Sequence, residues 1–306
     1  MAYDRMYNKE HWFEQITEQT LWHYTSIGVL DKLANPEGFI KATHYKSEID
    51  TSEMFYGRKL WEKIIKKKVT PPSELLFKEM SRTDLIDRSE FIKKYLEEDS
   101  ECFRILKDNI FIFCMTTLKD SQFHWENYAS HPDGIAIGIN VNELKKCITL
   151  FIENFKEPSK SFQVTSLSRY PIPYKMHLDY CSYGSFASLK KLLKTINLLL
   201  PYIDKTDEIL QILQLASIRE ETVPFAKQKK YSAENEVRLT YSGPDLLNNA
   251  CEINEKKMID IFPSAQLIDT VIISPFANKD CCEQVDNIKK KYKLDFTVRL
   301  SNINKS

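Results

Sequence analysis

The segment that most restricts the fold is Ile110-Phe111-Ile112-Phe113-Cys114-Met115, an unbroken apolar run rich in aromatic and β-branched residues. A short run of this kind predicts a central strand covered on both faces, so the chain must supply packing layers above and below it. GIAIGIN at 134–140 predicts a second strand, with Ile135, Ile137 and Ile139 on one side and Ala136 and Gly138 on the other. The small residues leave room for a helix or a ligand to approach the backbone. Further strands are expected at 21–26, 163–174, 236–241, 257–261, 269–274 and 296–300. Between them, apolar residues recur at helical spacing: Ile27, Leu30 and Leu33 after a cap at Thr25 or Ser26, then 52–68, 121–130, 142–156, 185–200, 206–230 and 279–291. The stretch 73–98 reads as one or two helices with an exposed face. Strands interrupted by helices, with no regular βαβ beat, predict an α+β fold: a mixed central sheet flanked by helices. The expectation is one domain over 1–306, with a helical insertion at about 185–230 before the late strands.

Composition narrows the function classes. With 306 residues the chain can build a core without staples. Forty-three basic against forty-three acidic side chains remove any whole-surface attraction to nucleic acid, although a local basic groove stays open. Only 7 glycines are present, and neither GxGxxG nor GxxxxGK[ST] occurs, which argues against a phosphate-cradling loop. The 7 cysteines lack CxxC spacing, so reduced thiols in a cytoplasmic protein are expected. No apolar run of about eighteen residues and no leader-like start appear, so no membrane partner is expected.

Three constellations carry candidate chemistry. In the first strand, His23 and Thr25 point to one face and Trp22 and Tyr24 to the other. An imidazole and a hydroxyl sharing a surface suit a ribose diol; a histidine satisfied by a backbone carbonyl explains the same letters. In SQFHWENYASHPDG (121–134), Trp125 and Tyr128 lie three apart on one helix face, where they either stack on a planar heterocycle or fill the core under the sheet. His124 and His131 have no acidic or cysteine ligand at metal-binding spacing, and no metal is assigned. Third, Glu234, Glu236 and Arg238 alternate and so line one strand face. Two neighbouring carboxylates can divide labour, one orienting a nucleophile and one stabilising a cationic sugar, with Arg238 keeping its neighbour ionised; a solvated face is the alternative. The lysines at 66–68, 227–230 and 289–291 read as solvated helix faces.

In order along the chain, LWHYTSIGVLDKL, IDTSEMFYGRKL, FIFCMTTLKDSQFHWENYASHPDGIAIGI, AENEVRL and VIISPFANKDCCEQVDNIKKKY resemble a bacterial family known as domain of unknown function two-nine-seven-one. The order of histidine, aromatic ring and late glutamate also resembles ADP-ribosyltransferases of the histidine-tyrosine-glutamate type, and Glu234-x-Glu236 resembles the Glu-x-Glu element of their arginine-directed members. The second resemblance implies NAD as substrate, with His23 on its ribose, Tyr128 or Trp125 on nicotinamide, Glu236 on the oxocarbenium-like cation and Glu234 orienting the acceptor. Tyr24, Thr25 and Arg238 complete the implied binding set. It also implies a protein or nucleic-acid acceptor, and the bacterial spread of the first family adds the expectation of a toxin or an effector of defence against phage. The alternative is a non-catalytic module that binds a nucleotide or a protein.

Overall fold

Side chains alternate in direction along each strand, and the central strands are buried on both sides, so one sheet carries two covered but unlike faces. The computed structural model describes residues 16–47, 52–65, 109–154, 175–199, 222–243 and 246–303. In chain order the elements are β1 (Thr20–Ser26), α1 (Ile27–Ala34), β2 (Phe39–His44), α2 (Ser52–Ile65), β3 (Ile110–Thr116), α3 (Gln122–Tyr128), β4 (Gly134–Asn140) and α4 (Val141–Asn154). They continue with β5 (Lys175–Tyr180), β6 (Ser182–Tyr183), α5 (Ser185–Leu199), β7 (Ala226–Lys227), β8 (Glu236–Ser242), β9 (Cys251–Ile253), β10 (Lys256–Pro263), β11 (Ile268–Ile273), α6 (Cys281–Tyr292) and β12 (Thr297–Leu300). The fold is α+β, as expected, with a mixed sheet in which the order runs β12-β11-β4-β1-β3-β2-β10-β9. The sheet branches at β3. β8 pairs with it along its whole length, β2 pairs at Phe111 and Ile112, and β1 pairs at Thr116. β5 then pairs with the far side of β8.

One face is apolar. Phe111, Phe113 and Met115 of β3, Ile135, Ile137 and Ile139 of β4, and Val237 and Leu239 of β8 join the main core with Leu30 of α1, Leu144 of α4 and Val285 of α6. Each such side chain, fully buried, contributes about 1.5–3 kcal/mol. The opposite face carries a small aromatic cluster of Trp22, Tyr24, Trp125 and Ala129 beside Ala136 and Ile272. The room above Ala136 and Gly138 is filled from within the chain: a Cβ on Gly138 would lie 3.1 Å from the Trp22 ring.

Several local expectations are revised. Ser26 is extended at the start of α1 and makes no side-chain cap bond. Instead the Ile27 N–H donates to the Asp133 carbonyl at 3.0 Å, a long-range substitute for the cap. α5 is helical, but Val223–Phe225 and Lys229–Glu234 are 3-10 turns and Ala226–Lys227 pairs with β6 in parallel, so the end of the expected 206–230 helix is not an α-helix. Pro224 cannot donate to a helix ladder, and backbone pairing with β6 satisfies this segment otherwise. β2 and β5 were not expected from the pattern. The expected helices at 73–98 and the strand at 163–174 lie outside the described residues, as does 206–221.

Candidate functional site

On the face opposite the core, antiparallel register sets Glu236 against Thr116, Arg238 against Cys114 on one side and Asp179 on the other, and Thr240 against His177. Polar side chains of three strands therefore share one surface. That surface is not solvated: Lys227, Glu234, Glu236, Arg238 and Asp179 are all buried.

Their charges interlock. Arg238 Nε donates to Glu236 Oε1 at 2.7 Å and its Nη2 to Oε2 at 3.1 Å, while Nη1 donates to the Pro224 carbonyl. Lys227 Nζ donates to Glu236 Oε2 at 2.5 Å and also to Glu234 Oε2. Glu234 Oε1 accepts from the Tyr128 hydroxyl at 3.2 Å. Lys191 lies 2.7 Å from Asp179 on the neighbouring strand. Three acids thus face three bases, which offsets the several kcal/mol that burying each ion costs. Burial by itself would raise the Glu236 carboxyl, but Arg238 and then Lys227 outweigh it and hold it down to about 2. Burial raises Tyr128 and Tyr183, keeping both phenols protonated, and pushes the Cys181 thiol up to about 12.

The backbone between the two glutamates brings them to one ammonium. Glu234 ends a 3-10 turn, Asn235 is left-handed with φ 41°, and Glu236 begins β8. Asparagine tolerates that conformation better than most residues. The reversal is tied down: the Glu234 carbonyl accepts from Thr116 Oγ1 at 2.7 Å and from His124 Nε2 at 3.1 Å, and the Asn235 carbonyl accepts from the Thr117 N–H at 3.2 Å. On the other side, the Glu236 N–H donates to the Tyr183 hydroxyl at 2.7 Å.

Of the residues read from the sequence, Glu234, Glu236, Arg238 and Tyr128 come together. Tyr24 lies on the same side of the sheet, stacked on His124 at 4.8 Å; its hydroxyl donates to the Leu118 carbonyl and accepts from the Ser121 N–H. His23 does not join them. Trp22 pairs with Thr116, so Trp22 shares the face of Glu236, and its neighbour His23 points to the other, as does Thr25. His23 Nδ1 lies 3.0 Å from the Cys114 carbonyl and its ring packs on Phe113 at 4.9 Å, on the core side. Burial lowers its pKa against that carbonyl bond. Trp125 is fully buried, its Nε1 donating to Asp120 at 2.6 Å, and has no face open for stacking. Nor does Glu234 extend the strand face of Glu236 and Arg238, because it precedes β8.

Asp179, Tyr183 and Lys191 carry no signal in the sequence, and two further members read differently there than in the fold. Lys227 belongs to a lysine run that predicts a solvated face, yet it is buried under two carboxylates; the apolar Val223-Pro224-Phe225-Ala226 immediately before it is the signal that points the other way. In the sequence His124 stands out only as a candidate metal ligand. Among the described residues no group of three or more His, Cys, Asp or Glu side chains is arranged to hold a metal ion, and no helix is long and apolar enough to cross a membrane.

Residues 124–239 match the family described as "Protein of unknown function (DUF2971)". The matched stretch includes every side chain of the ionic cluster together with Tyr128 and His124, and excludes His23. No curated protein and no solved structure matches the chain.

Proposed function

For a chain whose residues 124–239 belong to the DUF2971 family, we propose that the ionic cluster is the site of an enzyme that cleaves the N-glycosidic bond of an NAD-like nucleotide, by hydrolysis or by ADP-ribosyl transfer to an acceptor. One observation carries this reading: a continuous chain from the exposed Tyr128 through Glu234 and Lys227 to Glu236 and Arg238. Cleavage breaks the bond from the anomeric carbon to nitrogen, nicotinamide leaves with the bonding pair, and a hydroxyl captures the carbon and releases a proton. Positive charge builds on the sugar, so a preorganised carboxylate lowers the barrier. Glu234 takes that role here rather than Glu236. Both oxygens of each glutamate are bound, but Glu236 is held by the buried Arg238 and Lys227, whereas Glu234 Oε1 bonds the half-exposed Tyr128 at the rim. Arg238 and Lys227 keep Glu236 ionised, and Glu236 becomes a positioning residue. The six described cysteines are all free, which supports a reducing, cytoplasmic setting.

The test is nicotinamide release from NAD by the purified protein. Glu234→Gln is expected to lower the rate about a hundredfold; equal rates for it and the wild type overturn the assignment. The engagement of both Glu236 oxygens within the chain favours a second reading, a nucleotide-binding module without chemistry. A raised melting temperature with ADP-ribose and no nicotinamide release selects that reading instead.

A further inference from the structure

Three rings surround His124 on the charged side of the sheet: Tyr24 at 4.8 Å, Phe123 at 5.4 Å and Tyr128 at 5.7 Å. The imidazole is only 4% exposed. Its Nε2 faces the Glu234 carbonyl, which can only accept, so Nε2 carries the proton and Nδ1 presents a lone pair. That Nδ1 is enclosed and has no hydrogen-bond partner. A buried acceptor left unmade costs about 1–3 kcal/mol, and it lies beside the carboxylates just described. Burial lowers the pKa of His124 against the opposing influence of the Glu234 carbonyl and the Glu236 charge, which keeps the lone pair available near neutral pH.

The surroundings select the kind of donor. The acids nearby are already matched by Lys227 and Arg238, so a cationic ligand meets no surplus negative charge. A lone water needs two to four polar partners, whereas this imidazole has three aromatic rings against it. A neutral hydroxyl carried on a carbon ring satisfies both requirements: the O–H meets Nδ1 and the C–H faces meet the rings. Of the three rings only Tyr128 is exposed, and its hydroxyl is held by a single 3.2 Å bond to Glu234, so the way in runs past it.

We infer that His124 is a ligand-contacting residue of this site, its Nδ1 accepting a hydrogen bond from a sugar hydroxyl of the bound nucleotide. The inference rests on the reading of the Glu234 cluster as a nucleotide site. Two amide replacements separate contact from scaffolding. Asparagine places a carbonyl oxygen near the position of Nδ1, whereas glutamine places its amide near Nε2 and keeps the bond to the Glu234 carbonyl. Calorimetric titration with ADP-ribose is expected to show about tenfold weaker binding for His124→Gln and near wild-type binding for His124→Asn. In the wild-type protein, imidazole nitrogen NMR should show the Nδ1 resonance of His124 moving when ADP-ribose is added. The reverse order of the two variants, or an unmoved Nδ1 resonance at saturating ADP-ribose, overturns the inference and leaves His124 as a support for Glu234. If the wild-type protein binds neither ADP-ribose nor NAD, the nucleotide-site reading itself fails, and the inference with it.

Discussion

The two faces of β8 are built from alternate residues of one heptapeptide, yet they are held by different physics. Val237, Leu239 and Tyr241 sink into an apolar core that tolerates imprecision, because dispersion and desolvation have no direction. Glu236, Arg238 and Thr240 are buried to a similar degree, but each charge there depends on a named partner at a fixed distance. Equal burial therefore hides unequal fragility. On the charged face, stability belongs to pairs rather than to residues.

The sharpest way to break the comparison is to remove one charge. Lys227→Met is expected to cost about 3–5 kcal/mol by leaving Glu234 and Glu236 to repel each other in a buried site. On the core face Leu239→Ala is expected to cost about 2–5 kcal/mol. Urea midpoints of both variants check this, and a cost below about 1 kcal/mol for Lys227→Met would mean that water reaches the cluster. The double change Lys227→Met with Glu236→Gln should cost less than the two singles added, because the sites are in contact.

Next in size is the response to acid. The Glu236 carboxyl is held near 2 in the folded chain against an ordinary 4.5, so its contribution, about 3 kcal/mol, is complete above pH 4.5 and disappears as pH falls towards 2. Thermal unfolding between pH 5 and 2 should show a steep loss in the wild type and a flatter one in Glu236→Gln. His23 offers a smaller effect of the same sign on the core side. Its lowered pKa means that the unfolded chain binds protons first, so stability declines as pH falls below about 6.5. His23→Phe should flatten the melting temperature between pH 7 and 5.

Tyr128→Phe is the mildest change. The phenol is half exposed and makes one long bond to Glu234, so its loss should cost under about 1 kcal/mol in melting experiments while still disturbing the rim of the site.

Much of the sheet was readable. β3 and β4 announce themselves because a strand buried on both faces needs uninterrupted apolar or small residues. β5 is buried just as deeply but contains His177 and Asp179, and Asp179 is paired with Lys191 of α5, so no apolar run betrays the strand. The site divides in the same manner. Glu236 and Arg238 were placed together by period two, whereas Glu234 reaches the same ammonium only through the left-handed turn at Asn235. Of two histidines close to backbone carbonyls, the one singled out in advance, His23, faces the core, and the one set aside, His124, faces the charges.

By itself the amino-acid order determined the apolar central strands, the helical stripe of α1, and that two carboxylates and a guanidinium stand within five residues of one another. Only the tertiary structure decided that their face is covered, that Lys227 sits between the carboxylates, and that Trp22 rather than His23 shares their side. The direction of a side chain along a strand follows from local geometry, whereas register between strands and the layer that covers them depend on contacts made across more than a hundred residues.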